Sequence, residues 1–269
     1  MRRAYILALT FFAVCSSAAA QGLQYKMIIK HNAIAGFGEM PAPEMLMSTD
    51  GSMMRVDVVM EMPGMAPMRM STIMDPVTKK MIMLRHDEKA YTEMPVPDVL
   101  AHLDTAAIRT AAKNIKQIND SQSRQVIDGR ETHRVVMTSD FPPMLPGGLF
   151  PKIAEGNRAV IVTEQWIAND PVIAKAFIAM AKFGGSNVVP EELMKATSTG
   201  GFAVRSTSLV IQVPKAAAVD AEAVLKAGVQ AKGMLMSTTT AISDIKVGPV
   251  DPALFRIPSN YKQLQMPSR

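Results

Sequence analysis

Apolar and polar residues alternate with a period of two through most of the first third of the chain. Met54, Val56, Val58 and Met60 share one side of a run, and Arg55, Asp57 and Val59 take the other. Met68, Met70, Thr72 and Met74 repeat the pattern against Arg69, Ser71 and Ile73. A two-residue period with one apolar side predicts half-buried antiparallel strands. Such runs fall at 23–32, 44–50, 53–61, 68–74, 79–85 and 89–94. The breaks between them carry turn chemistry at Asp50-Gly51, Pro63-Gly64, Asp75-Pro76 and His86-Asp87. Links this short predict a meander.

The period then changes. Leu100, Leu103, Ala107, Ala111, Ile115 and Ile118 recur every three or four residues, with Arg109, Lys113 and Lys116 on another face. This predicts an amphipathic helix over 95–118, placed to cover the apolar face of the meander. Strand character returns at 123–128 and 130–139, a hairpin through Gly129, and again at 158–170 after a loop rich in proline and glycine. Residues 171–183 predict a second, mostly apolar helix whose charges are Lys175 and Lys182, stopped by Gly184-Gly185. Strands at 200–213 and 233–248 flank a third helix at 220–232, with acids early and lysines late as the helix dipole favours. The segment 251–264 reads as a short extended closure. The pattern as a whole predicts one α+β domain over 21–269.

The first twenty residues belong to a different class. Arg2 and Arg3 precede an apolar run from Ala4 to Val14, and Ala18 and Ala20 occupy the −3 and −1 places of an A-x-A cleavage site. This is the pattern of a secretory signal peptide over 1–20, cleaved after Ala20, and it predicts a periplasmic or secreted product. Cys15 is the single cysteine and lies inside that segment. The bulky Val14 before it argues against a lipoprotein signal. The mature chain then carries no disulfide, thiolate nucleophile or cysteine-bound metal. Losing Arg2 and Arg3 lowers the formal charge from +5 by two. No basic run interleaved with aromatics is present, so nucleic acid is not an expected partner.

The order of short motifs is similar to that of an uncharacterised family of exported bacterial proteins, a domain of unknown function. That family is related in shape to the outer-membrane lipoprotein carriers and receptors of the Lol pathway. The resemblance rests on Asp50, Gly51 and Arg55 in "DGSMMRVD", Tyr91 in "KAYTEM", Glu164 and Trp166 in "EQWIAND", and Phe255, Pro258 and Tyr261 in "LFRIPSNYK". It implies a curved antiparallel half-barrel sheet with helices covering the concave face, enclosing an apolar cavity and performing no reaction.

Methionine crowding bears on what such a cavity holds. Fifteen of the 23 methionines lie between residues 27 and 94. Thioether side chains are flexible and polarizable, and they suit surfaces that accommodate varied apolar shapes. Met54, Met60, Met68, Met70, Met74, Met81 and Met83, with Tyr91, Trp166 and Phe177, are the expected cavity lining. The expected occupant is a lipid or another hydrophobic small molecule, with peripheral contact to a membrane or an envelope protein. Ordinary core filling explains the same residues without any ligand. A third reading is chemical: soft thioethers select Cu(I), and Met60, Met62, Met65, Met68 and Met70 have the close spacing of a copper-handling or oxidant-buffering segment.

Motifs for catalysis are missing. There is no G-x-S-x-G, phosphate loop or HExxH, and His31, His86, His102 and His133 form no close ligand pair. A hydrolase would require a site assembled in space from distant residues.

Overall fold

The computed structural model describes residues 22–34, 42–60, 66–95, 115–141, 153–175 and 201–265. The alternating runs of the first third become β1 (Leu23–Ile34), β2 (Glu44–Thr49), β3 (Met54–Met60), β4 (Met68–Asp75), β5 (Lys80–Arg85) and β6 (Ala90–Pro95). They pair as an antiparallel meander, each with the next. The second part supplies β7 (Lys116–Ile127), β8 (Arg130–Asp140), β9 (Asn157–Ala168), β10 (Phe202–Pro214) and β11 (Met234–Val247). Asp128 and Gly129, at φ +50° and +70°, form the two-residue turn between β7 and β8. A left-handed pair there matches the twist of the flanking strands.

These strands and β12 (Lys262–Gln263) form one open sheet in the order β12-β6-β5-β4-β3-β2-β1-β11-β10-β9-β8-β7. β11 returns along β1 and so joins the two meanders. β12 adds to β6 in parallel. The α+β half-barrel expected above is therefore corrected to a mostly β architecture. The sheet does not close, since β12 and β7 stand at its two edges.

One α-helix is described in full, α1 (Ala221–Ala227). Asp220 caps it, its side chain accepting from the Ala223 amide at 3.1 Å, and Gly228 at φ +55° ends it. Such a cap stabilises a helix by about 1 kcal/mol. A helical turn occupies 171–175, and the rest of the helix expected over 171–183 lies outside the described residues. The helix expected over 95–118 is corrected at its ends. Pro95 closes β6, and Lys116 to Ile118 open β7, paired with Thr138 to Val136. Ile118, which the spacing puts on a helical face, stands 56 % exposed on the edge strand. Pairing with β8 outweighs a weak helical period there. Residues 96–114 lie outside the described residues.

Directly paired residues on neighbouring strands share a face, which allows each face to be traced. Thr163, Ser208, Thr238 and His31 form one cross-sheet row over β9, β10, β11 and β1. Side-chain contacts at 3.2 Å between Thr163 and Ser208, and between His31 and Thr238, confirm that they point the same way. Met27 lies on that face of β1. Val160 and Val162 lie on the other, where they pack with Val136, Ile211 and α1. The helix thus covers the face opposite to the methionines. The C-terminal segment covers that same opposite face at the other end of the sheet. There Val250 and Phe255 are buried against Ile73 and Leu84.

Candidate functional site

Strand register collects the methionines into rows. Met54, Met74, Met81 and Met94 are directly paired in succession across β3, β4, β5 and β6. With strands about 4.8 Å apart, this row is about 14 Å long. The next row runs Tyr25, Met47, Val56, Thr72, Met83 and Thr92. The next runs Met27, Met45, Val58, Met70 and Arg85, and Met60 pairs with Met68 beyond it. Every one of these methionines stands on a single face of the sheet because the side-chain period of a strand is two.

Burial grades along that face. Met54 and Met47 are 7 % and 8 % exposed and belong to a core cluster with Leu23, Tyr25, Phe202, Val204 and Ile173 of the helical turn. Met27, Met45 and Met74 pack against this cluster from its margin. Met60, Met68, Met70, Met81, Met83 and Met94 are half-buried. The face passes from closed core at one end to a partly open thioether surface at the other.

The structure brings together seven of the expected lining residues: Met54, Met60, Met68, Met70, Met74, Met81 and Met83. It places Tyr91 elsewhere. Tyr91 pairs with Leu84 and packs beside Tyr261 and Ile257 on the opposite face. Alternation settles this, because Tyr91 is one residue out of phase with Thr92 and Ala90. Trp166 pairs with Arg134, so its strand phase puts it on the face away from the methionines, and it packs against the margin of the Leu23 cluster. Phe177 lies outside the described residues. Of the residues with copper spacing, Met60 and Met68 are cross-strand neighbours and Met70 follows Met68 on the same face. Met62 and Met65 lie outside the described residues. Among the described residues no three His, Asp or Glu side chains converge as a metal site.

The opposite face holds a polar cluster that spacing did not reveal. Arg55 Nε donates to both oxygens of Asp57, at 2.8 and 3.0 Å, and its Nη1 donates to the Leu254 carbonyl at 2.6 Å. Arg55 Nη2 donates to Ser71 Oγ at 2.9 Å, and Ser71 donates its own proton to Asp57 in a short hydrogen bond. His86 Nε2 lies 2.5 Å from Ser71 Oγ, and its Nδ1 lies 2.7 Å from the Tyr261 hydroxyl. Because the Ser71 proton is committed to Asp57, His86 Nε2–H is the donor to Ser71. In the neutral ring Nδ1 then accepts from Tyr261.

Serine, histidine and aspartate within hydrogen-bond reach invite comparison with a nucleophilic triad, and the proton arrangement rejects it. A nucleophilic serine gives its proton to histidine, whereas Ser71 receives one from it. Ser71 is also 0 % exposed, and its oxygen is saturated by Arg55, His86 and Asp57. The cluster is a pin between the sheet and the C-terminal segment. Asp57, Ser71 and His86 come from three different strands or turns, and Tyr261 from 175 residues beyond His86. Only the "RVD" and "NYK" motifs offered a trace of it in the sequence.

No family model matches the chain, and a search of curated proteins returns no related sequence.

Proposed function

We propose that this is an exported, non-catalytic protein that binds a lipid acyl chain or another hydrophobic molecule over the methionine face. The observation that carries the reading is the row of Met54, Met74, Met81 and Met94, with Met70 and Met83 beside it, on one half-buried face. A face meant only as core gains more from branched aliphatic side chains, which have fewer rotamers to lose. Burying a methylene yields about 0.8 kcal/mol. About ten methylenes therefore match the roughly 8 kcal/mol of a micromolar complex, before ordering costs. The signal-like first twenty residues and the resemblance to the Lol-pathway carriers support the compartment and the role.

Native mass spectrometry of protein purified from its own host tests this. A co-purified lipid is expected, together with its loss in Met70→Asp/Met83→Asp. Protein free of any apolar adduct, which also leaves the fluorescence of N-phenyl-1-naphthylamine unchanged, would end the proposal.

The Met60–Met68 pairing favours a second reading, Cu(I) binding by thioethers. Stoichiometric Cu(I), retained by wild type and lost in Met60→Leu/Met68→Leu, would replace the first reading. Leucine keeps the apolar volume and removes the sulfur.

A further inference from the structure

A cleft lies on the face opposite to the methionines, between the ends of β7–β9 and the segment that leads from β10 into α1. Its volume is about 750 Å³, within the range of small-ligand sites. Val160 forms the floor at 2 % exposure, and Thr138, on the same face of β8, supplies a hydroxyl. Ala216, Ala217, Ala218 and Val219 make an apolar wall. That wall is built in advance: Arg158 Nη2 donates to the Ala217 carbonyl at 3.1 Å, the Lys215 amide to the Gly156 carbonyl at 3.0 Å, and the Ala217 amide to the Pro214 carbonyl at 2.9 Å.

Charge gives this cleft its character. Three cations line it, Lys116, Arg158 and Lys215, against one carboxylate, Asp140. Asp140 is already engaged by Arg158 Nη1 at 2.5 Å. Neither lysine ammonium has a carboxylate partner among the described residues. Two uncompensated positive charges around a preformed, partly apolar recess match the charge of about −1.5 to −2 on a phosphate monoester. The free N–H groups of Arg158 and the Thr138 hydroxyl complete a donor set suited to its oxygens.

We propose that this cleft binds a phosphate group carried on a small organic molecule or on a lipid headgroup. The site is separate from the methionine face, and neither proposal depends on the other.

Isothermal titration calorimetry with glycerol 3-phosphate, and flotation with phosphatidylcholine vesicles with and without phosphatidate, test it. Lys116→Glu/Lys215→Glu is compared with wild type and with Lys30→Glu/Lys246→Glu, which makes the same charge change on exposed lysines of β1 and β11. The expected result is binding that weakens about ten-fold or more in Lys116→Glu/Lys215→Glu and weakens as salt rises, with the control pair close to wild type. Glycerol 3-phosphate binding identifies a soluble ligand, and binding confined to phosphatidate vesicles identifies a headgroup. Absence of binding in both arms, or equal losses in the two double variants, would overturn the proposal.

Discussion

Two arginines do corresponding jobs at opposite ends of the sheet, and the contrast between them shows how the two halves are built. Arg55 on β3 and Arg134 on β8 both stand on the face away from the methionines. Each holds a carboxylate on the sheet: Asp57 for Arg55 at 2.6 Å and Glu164 for Arg134 at 2.6 Å. Each also holds the segment that covers that face. Arg134 reaches Glu222 of α1 with two hydrogen bonds at 2.7 and 2.8 Å, whereas Arg55 reaches the backbone carbonyl of Leu254. Glu222 is 56 % exposed, so the α1 attachment is partly screened by water. The Arg55 cluster includes Ser71 at 0 % exposure and cannot rearrange into solvent.

The apolar packing of the two halves diverges further. In β8–β10 the deeply buried residues on both faces are branched aliphatics, with Val135, Val136, Val160, Val162, Leu209 and Val210 all at 2 % exposure or less. In β3–β6 the face away from Arg55 is lined by methionine, mostly half-buried. One half of the sheet is packed to be rigid and the other to be adaptable. The tight anchor sits behind the adaptable surface, where it can hold backbone geometry while thioethers change rotamer.

The largest test of this contrast is Asp57→Ala. It leaves the Arg55 guanidinium, 12 % exposed, without its carboxylate. Breaking such a partly buried pair costs about 3–5 kcal/mol, read as a drop in the urea midpoint. Glu222→Ala is expected to cost under 1 kcal/mol, because its partner keeps Glu164 and the lost group is exposed. Equal losses would remove the distinction between the two anchors.

Packing gives the next effect. Leu84 is 0 % exposed behind the methionine face, and Leu84→Ala is expected to cost about 2–4 kcal/mol through transfer and cavity terms. Met83→Leu, one residue away on the half-buried face, is expected to stay under about 1.5 kcal/mol. If Met83→Leu destabilised as much as Leu84→Ala, the methionines would be tightly fitted core and not an adaptable surface.

These residues also show what the sequence could disclose. Alternation predicted the β3 and β4 faces correctly because strand period is local: Met54 and Met74 on one side, Arg55 and Ile73 on the other. What covers each face is not local. Arg55 and Asp57 read as the solvent side of a strand, yet the chain that covers them comes from Leu254, 199 residues away. Ile115 and Ile118 fitted a helical period by spacing alone, and only pairing with β8 assigns Lys116 to Ile127 to a strand. An aromatic ring with a polar tip suits a cavity rim, which is why Tyr91 joins the expected lining, but its phase within β6 sends it to the other face.

The His86–Tyr261 contact gives a smaller, more local effect. Tyr261→Phe removes one hydrogen bond of 2.7 Å and leaves the ring in place beside Ile257. A loss of about 1 kcal/mol is expected. It should appear as faster amide exchange at Lys262 and Leu264, which donate to the carbonyls of Lys89 and Tyr91. Exchange at Val136 and Val162 should be unchanged. Acceleration spread evenly over both halves would mean that the C-terminal segment is not fastened separately.

The smallest effect lies at Glu222, where pH separates the exposed anchor from the buried one. The hydrogen bond from Arg134 is the main cause holding the Glu222 carboxyl below its ordinary range, and burial opposes it. A carboxyl depressed in the folded state adds stability above its unfolded pKa of about 4.3, and this is lost as pH falls through the folded value. Glu222→Gln should therefore be less stable than wild type at pH 7, by under about 1 kcal/mol given the exposure. The two should converge in acid, because the protonated wild type has lost the charge that the variant never had. A gap that stays constant from pH 7 down to pH 3 would show that Arg134 holds α1 through hydrogen-bond geometry alone, and would bring it closer to the Arg55 anchor than the exposures imply.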